Sequence, residues 1–191
     1  MSKIYYLMGK SSSGKDTIYK KLRELFPKLK TVTLYTTRPI RDGEREGVEY
    51  HFVGKEKLEA LQRAGKVIEL RTYDTVHGEW NYFTVDDGQF DLNTQDYLMI
   101  GTLESYGKMQ AYFGSDALVP LYIEVEDGER LMRALLRERE QKEPKYAEMC
   151  RRFLADTKDF SEENLARLGI EERYENTNME AVLKKISQRI L

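Results

Sequence analysis

A glycine- and serine-rich loop near the start of the chain constrains the fold most strongly. The apolar run 4–8 leads directly into residues 9–17, which read G-K-S-S-S-G-K-D-T, and a helical pattern of apolar residues follows from Thr17. A strand, then G-x-x-x-x-G-K, then a helix is the context in which this spacing forms a phosphate-binding loop. Successive backbone N–H groups and the helix N-terminus would face the anion. The loop therefore predicts an α/β P-loop fold, with a parallel sheet flanked by helices.

The loop also predicts how a nucleoside triphosphate and its metal would be held. Lys15 would place a point charge on the β- and γ-phosphates. The motif has Ser or Thr after this lysine as a Mg²⁺ ligand, but here Asp16 follows and Thr17 comes next. Either residue is a predicted ligand, because a carboxylate is favourable at a helix N-terminus and Mg²⁺ prefers hard oxygen. The loop thus predicts a nucleoside triphosphate and Mg²⁺ as ligands, and the residues predicted to bind them are Gly9, Ser11, Ser12, Ser13, Gly14, Lys15, Asp16 and Thr17.

Composition narrows the class of protein further. The chain has 191 residues, a net charge of −2 and one cysteine, which predicts a single domain, no nucleic-acid polymer as partner and no intrachain disulfide. Cys150 is predicted to be a semi-buried helix residue, and His51 and His77 are assigned neither a zinc site nor a catalytic role. No apolar run is long enough for a membrane span or resembles a signal peptide, so we expect a cytoplasmic location.

The segment 36–52 reads T-T-R-P-I-R-D-G-E-R-E-G-V-E-Y-H-F after a predicted strand over 31–35. This string resembles the nucleoside-monophosphate-binding signature of the guanylate kinase family. The resemblance implies that Arg38, Arg41 and Tyr50 hold the phosphate of GMP. Two guanidiniums on a constrained loop suit such a grip, because each can bind phosphate oxygens bidentately.

The resemblance extends to the residues that would read the base. Glu69, in a predicted strand over 67–70, matches the family's acid that accepts from the N1–H and the exocyclic amine of guanine. Adenine lacks this donor pattern, so the carboxylate would discriminate between the purines. Tyr82 and Thr84 match the family residues that contact the acceptor phosphate and the guanine, respectively.

Three departures from the family pattern lie around the same site. Phe83 replaces a glycine, after a few additional residues at 75–79, and Leu34 and Tyr35 occupy the neighbourhood of an expected serine. Thr102 stands where the family has an aspartate near the nucleotides, and it is predicted to bind the acceptor in that acid's place. These departures leave open whether GMP is the acceptor.

Two charged helices, predicted over 128–140 and 145–158, resemble the family's mobile lid, with Arg137 and Arg152 at the positions that reach the transferring phosphoryl group. Arg133 and Arg139 are close alternatives. In the first helix the pattern predicts Leu131, Leu135 and Leu136 on one side and exposed Arg130, Arg133, Arg137 and Arg139. Asn176 matches a residue that contacts adenine, and Asn178 is predicted to cap a closing helix over 179–191.

The predicted organisation is a single domain over 1–191. Its core comprises residues 1–35, 96–128 and 165–191, with a small, mostly β acceptor lobe over about 36–90 and a helical lid over about 129–160. The predicted reaction is GMP + ATP to GDP + ADP, with Lys15, Arg41, Arg137 and Arg152 as catalytic residues.

Two alternatives stay open: a kinase for a different nucleotide or phosphorylated acceptor, and a non-catalytic phosphate-binding module. The predicted partners are small-molecule nucleotides, ATP with GMP or dGMP, and no membrane. The sequence leaves the oligomeric state open between a monomer and a homodimer.

Overall fold

The computed structural model describes residues 2–75 and 78–191; His77 lies outside these ranges. In chain order the elements are β1 (Ile4–Gly9), α1 (Lys15–Leu25), β2 (Tyr35–Thr36), β3 (His51–Phe52), α2 (Lys55–Arg63), β4 (Val67–Thr75), β5 (Gly78–Val85), β6 (Tyr97–Gly101), α3 (Leu103–Phe113), β7 (Leu118–Glu124), α4 (Asp127–Arg139), α5 (Tyr146–Asp159), α6 (Glu162–Arg167), β8 (Arg173–Glu175) and α7 (Met179–Ile190), with a 3₁₀ turn at Ser115–Ala117 before β7.

The main sheet is parallel, with strand order β6-β1-β7-β8. All six residues of β1 are buried, as expected of a parallel strand that is covered by helices on both faces. Ile4 and Tyr6 belong to the core cluster that includes residues of α3, whereas Tyr5 and Leu7 pack with residues of α1 and α7. The predicted fold class is confirmed. Because the strands are parallel, the loops after β1 and β6 meet at one edge of the sheet.

A second sheet, with order β3-β2-β5-β4, is built around the antiparallel β4–β5 hairpin. One face of the hairpin packs on a small apolar cluster that contains Leu58, Phe83 and Val85. A register shift between Val67 and Glu69 leaves Ile68 as a bulge residue, and Ile68 packs against the core of the main sheet. The opposite face of the hairpin carries the polar residues of the candidate site.

The prediction for helix α4 was partly wrong. Arg130 is 1% exposed, whereas Leu131 and Leu136 are exposed. Arg130 can be buried because its guanidinium has three partners. It donates to Asp127 Oδ1 and to the Ser11 carbonyl, and it lies over the ring of Phe153. A charged side chain can be buried when it is paired in this way.

Other local predictions had mixed outcomes. The strand predicted over 31–35 was wrong apart from its last residue, because Thr33 N–H donates to the Gln89 side chain instead of to a neighbouring strand. Cys150 is exposed, contrary to prediction. The cap at Asn178 is confirmed, since its Oδ1 accepts from Ala181 N–H. None of the helices within residues 2–75 and 78–191 has the length and hydrophobicity that crossing a bilayer requires.

Candidate active site

The backbone between β1 and α1 leaves no room for a Cβ atom at two of its glycines. A Cβ on Gly9 would lie 2.6 Å from the Ile123 carbonyl oxygen, and a Cβ on Gly14, at φ 85°, would lie 2.5 Å from Asn176 Nδ2. Ser12 also has a positive φ of 63°, which costs about 1–2 kcal/mol for a residue with a Cβ. The buried Ser12 and Ser13 hydroxyls find no hydrogen-bond partner in the described part of the chain. The loop therefore combines a constrained backbone with unused polar atoms.

Asn176 holds this loop through its side-chain amide. The residue is 4% exposed, and its Nδ2 donates to the Ser13 carbonyl at 2.8 Å. The backbone carbonyl of Asn176 accepts a hydrogen bond from Arg133 Nη2 at 3.3 Å. The structure thus brings Asn176 to the loop, although the predicted contact was with adenine.

The two predicted metal ligands lie on the first turn of α1 and both are exposed. Asp16 Oδ2 is 3.3 Å from Lys15 Nζ. Among the described residues, no three His, Cys, Asp or Glu side chains form a metal-binding group. Mg²⁺ is commonly held by one or two protein oxygens together with water and substrate phosphates. The donor chemistry at this turn fits a metal that arrives with the nucleotide.

Helices α4 and α5, which were predicted to form a lid, contact the loop directly. Ser11 N–H donates to Asp156 Oδ2 at 2.6 Å, and Arg130 Nη1 donates to the Ser11 carbonyl at 3.0 Å. Arg130 Nη1 is also 3.5 Å from Asp156 Oδ2. Residues of both α4 and α5 therefore bond to one residue of the loop.

The four arginines considered for the lid are not equivalent. Arg137 and Arg152 line a cavity together with Ser11 and Ser12. Arg152 is paired with Glu148 across one helical turn, at 2.8 Å. Arg133 is directed to the Asn176 carbonyl instead, and Arg139 does not line the cavity. The geometry favours Arg137 and Arg152 over the two alternatives.

A second cavity connects the loop with the hairpin. It is lined by Gly9, Ser11 and Lys15 of the loop, by Thr102 after β6, and by Tyr73 of β4. Thr102 also caps α3, because its hydroxyl accepts from Ser105 N–H while Ser105 Oγ accepts from Thr102 N–H. Tyr73 was not predicted from the sequence, since the strand was expected to end at residue 70.

Three of the residues predicted to hold the acceptor phosphate lie together. The Arg38 guanidinium is 5.2 Å from the ring centroid of Tyr50, and the rings of Tyr50 and Tyr82 are 5.6 Å apart. Arg41 is more exposed and lies over Trp80, 5.7 Å from its ring.

Arg38 is held by a carboxylate that was not predicted from the sequence. Glu44 accepts from Arg38 Nη1 at 2.7 Å and from Nη2 at 2.5 Å. This fork, with the Arg41 N–H as a further donor, lowers the pKa of Glu44 to about 2. Arg38 is 4% exposed, and its buried Nε has no partner among the described residues. An unpaired buried N–H in this position is suited to an additional anionic ligand.

Glu69 and Thr84, the predicted base-reading pair, are in direct contact. Thr84 Oγ1 donates to Glu69 Oε1 at 2.8 Å. Arg71, which was not predicted from the sequence, donates from Nε to Oε2 at 3.0 Å and from Nη2 to Oε1 at 3.2 Å. Burial lowers the pKa of Arg71, but the neighbouring Glu69 outweighs this effect, so the net shift is upward and the group stays charged. The alternation 69, 71, 73 could have revealed Arg71 if the predicted strand had been longer.

Comparisons with known proteins agree with this geometry. The model of the guanylate kinase family matches residues 1–100. A guanylate kinase from Neisseria gonorrhoeae is 32% identical over 120 residues, 63% of this chain and 57% of that protein. One from Frankia casuarinae is 44% identical over 63 residues, 33% of this chain and 34% of that protein. The chain thus spans only about a third to somewhat over a half of the length of these relatives.

A solved structure supports the fold over nearly the whole chain. The guanylate kinase from Anaplasma phagocytophilum superposes with a TM-score of 0.66 at 19% identity, over 99% of this chain and 84% of that one. The match to the family model covers more than half of the sequence, including the loop and the acceptor segment. The chain belongs to the guanylate kinase family.

Proposed function

We propose that the protein transfers the γ-phosphoryl group of ATP to a nucleoside monophosphate, with GMP as the acceptor and GDP and ADP as products. The observation that carries this proposal is a single cavity lined both by Lys15 of the phosphate-binding loop and by Tyr73 of the hairpin. Tyr73 lies on the same hairpin face as Glu69, so a donor at the loop and an acceptor on the hairpin would meet there.

At the donor side, the loop N–H groups and Lys15 would bind the phosphates of ATP. Asn176 would keep the loop in its binding conformation through the bond to Ser13. Asp16 and Thr17 would hold Mg²⁺, which, when bound, neutralises charge on the phosphate oxygens.

At the acceptor side, Arg38, Arg41, Tyr50 and Tyr82 would hold the monophosphate. The two guanidiniums would neutralise its charge and orient one oxygen for in-line attack. A general base is unnecessary, because a phosphate dianion already has a nucleophilic oxygen. Glu69 and Thr84 would read the base, and Thr102 would line the space between the two nucleotides.

The lid would complete the site. Arg137 and Arg152 would stabilise the charge of the transferring phosphoryl group, together with Lys15 and Arg41. A closed lid would also exclude water, which would otherwise compete as the acceptor. We assign the lid to about residues 129–160 and the acceptor lobe to about 36–90.

A kinase for a different nucleotide is the second candidate. It is favoured by Thr102, which stands where the family has an aspartate, and by Leu34 and Tyr35 in the neighbourhood of the expected serine. A non-catalytic module is less well supported, because the loop keeps Gly14 and Lys15 and two lid arginines line the adjoining cavity.

A coupled assay of ADP release with ATP and Mg²⁺ separates these functions. The acceptors would be GMP, dGMP, AMP, CMP and UMP. We expect turnover with GMP and dGMP only. Turnover confined to another acceptor would support the second candidate, and GMP binding without turnover would support the module.

The substitution Glu69→Gln tests the base-reading role. We expect it to raise the KM for GMP at least tenfold while leaving the KM for ATP unchanged, because the second carboxylate oxygen becomes a donor. Glu163→Gln, at an exposed position on α6, is the matched control. Equal losses for both nucleotides would contradict the role of Glu69.

A further inference from the structure

Arg71 occupies the middle of the acceptor face of the hairpin. Residues 69, 71 and 73 of β4 lie on one face because side chains alternate along a strand. In the β4–β5 register Glu69 is opposite Thr84, Arg71 is opposite Tyr82, and Tyr73 is opposite Trp80. Arg71 is therefore level with Tyr82 and lies between the proposed base-reading pair and Tyr73.

We propose that Arg71 determines acceptor specificity by donating a hydrogen bond to the 6-oxo oxygen of a purine whose N1–H is bound by Glu69. This inference rests on the proposed function, because it assigns a further contact within the same acceptor site. It names the chemical group that the site would recognise: a 6-oxopurine with a proton on N1.

The cost of burying the pair is the first argument. The side chain of Arg71 is 10% exposed and that of Glu69 is 1% exposed. Taking two charges out of water costs free energy that their attraction does not fully return, so a buried ion pair is weak evidence for a role in stability. A pair at this position is better explained by ligand recognition than by packing.

The hydrogen-bond capacity of Glu69 is the second argument. A carboxylate offers about four lone-pair sites. Arg71 Nε uses one on Oε2, while Arg71 Nη2 and Thr84 Oγ1 both bond to Oε1. One site on Oε2 is left, but guanine would present two N–H groups in parallel, from N1 and from the 2-amino group. One existing bond must therefore be released for the base to bind.

A 6-oxopurine compensates that loss. The O6 atom is adjacent to N1–H, so a guanidinium N–H that leaves Glu69 can donate to O6 while Glu69 accepts from N1. An arginine N–H paired with guanine O6 is a common means of base recognition. No buried donor is left unpaired after the exchange, which is the condition for favourable binding.

The test uses 6-thio-GMP, which keeps N1–H and the 2-amino group but has sulfur, a weaker hydrogen-bond acceptor, in place of O6. The full-length protein would be titrated with GMP and with 6-thio-GMP by calorimetry. We expect the wild type to bind GMP on the order of 10-fold more tightly than 6-thio-GMP. In Arg71→Lys, which keeps the charge but lacks the planar fork, the preference should fall to about 2-fold.

Arg63→Lys is the control, because Arg63 is exposed on α2 and, among the described residues, its side chain is paired only with Glu59 across one helical turn. It should keep the wild-type preference. A preference that is equal in wild type and Arg71→Lys would overturn the proposal. If the variant does not fold, the wild type still decides, since equal affinities for GMP and 6-thio-GMP would also overturn it.

Failure of the proposed function gives a different result. If that function is wrong, the wild type does not phosphorylate GMP, whether or not it binds the nucleotide. If only the inference is wrong, GMP is phosphorylated and Arg71 variants keep the preference for oxygen over sulfur.

Discussion

The Asp156 carboxylate accepts a hydrogen bond from the Ser11 backbone N–H, with Oδ2 2.6 Å from the nitrogen. Ser11 is in the loop whose N–H groups would bind the donor phosphates, and Asp156 is on helix α5, which we propose to be part of the lid. The carboxylate therefore occupies a position that a phosphate oxygen would take. A bound nucleotide and Asp156 would compete for the same donor.

Replacing Asp156 should have opposite effects on stability and on affinity. We expect Asp156→Ala to lower the free energy of unfolding of the unliganded protein by about 1–2 kcal/mol, because Ser11 N–H and Arg130 lose a partner. The same variant should bind ATP several-fold more tightly, since an anionic competitor is removed. Urea denaturation and ATP titration would measure the two quantities, with Glu163→Gln as the control. Weaker ATP binding would show that Asp156 assists the nucleotide.

The loop geometry predicts a selective effect at Gly14. A methyl group there would displace the Asn176 amide from the Ser13 carbonyl and would also strain a positive φ. We expect Gly14→Ala to weaken ATP binding at least tenfold and to leave GMP binding unchanged. Gly88→Ala is the matched control, because Gly88 has φ 91° and a methyl group there would meet no atom of residues 2–75 and 78–191 within 4 Å. If Gly14→Ala and Gly88→Ala bind ATP with equal affinity, displacement of the Asn176 side chain does not control ATP binding.

Thr102 has a structural role that can be separated from substrate contact. Thr102→Val removes the hydroxyl that caps α3 and should cost about 1 kcal/mol of stability, whereas Thr102→Ser should cost little. If capping is its main role, the affinity for GMP changes less than twofold in both variants. A large loss of GMP affinity in Thr102→Val without a loss of stability would instead indicate direct contact with the nucleotide.

The Arg38–Glu44 fork predicts a dependence of stability on pH. Because the pKa of Glu44 is lowered to about 2 in the folded protein, the unfolded chain binds the proton first on acidification. The stabilisation from this pair is therefore present above the ordinary glutamate pKa, near 4.5, and is lost as the pH falls towards 2. The difference in urea midpoint between wild type and Glu44→Gln should shrink from pH ~5 to pH ~3. A difference in urea midpoint that stays constant over this pH range would contradict the lowered pKa of Glu44.

The sequence predicted the parts of the site that depend on local patterns. The loop 9–17 follows from motif spacing, and Glu69 and Thr84 follow from the resemblance to the family; the structure brings Glu69 and Thr84 into direct contact. Arg130 was predicted to be exposed because charged residues on a helix usually are. Its burial depends on Ser11 and Asp156, which are distant in sequence, so no local pattern could indicate it.

Arg71 was missed for a different reason. The predicted strand ended at residue 70, where the apolar run ends, whereas β4 continues to Thr75. The extension is held by pairing with β5 and not by apolar burial, because Thr72, Tyr73 and Asp74 are exposed. Strand ends that rest on pairing alone carry little signal in hydrophobicity.

The bulge at Ile68 has a mechanical consequence. Ile68 leaves the hairpin register and packs into the core of the main sheet, and Lys108 Nζ donates to the neighbouring Leu70 carbonyl at 2.6 Å. The hairpin is thus fastened at the end that carries Glu69, while Thr75 lies ~17 Å farther along the strand than Leu70. Any rotation of the hairpin would turn about this fixed point, so Glu69 would hardly move, whereas Tyr73 and the strand ends at Thr75 and Gly78 would travel farther. Recognition of the base at Glu69 would therefore persist while Tyr73 changes its distance from Lys15 across the cavity that both residues line.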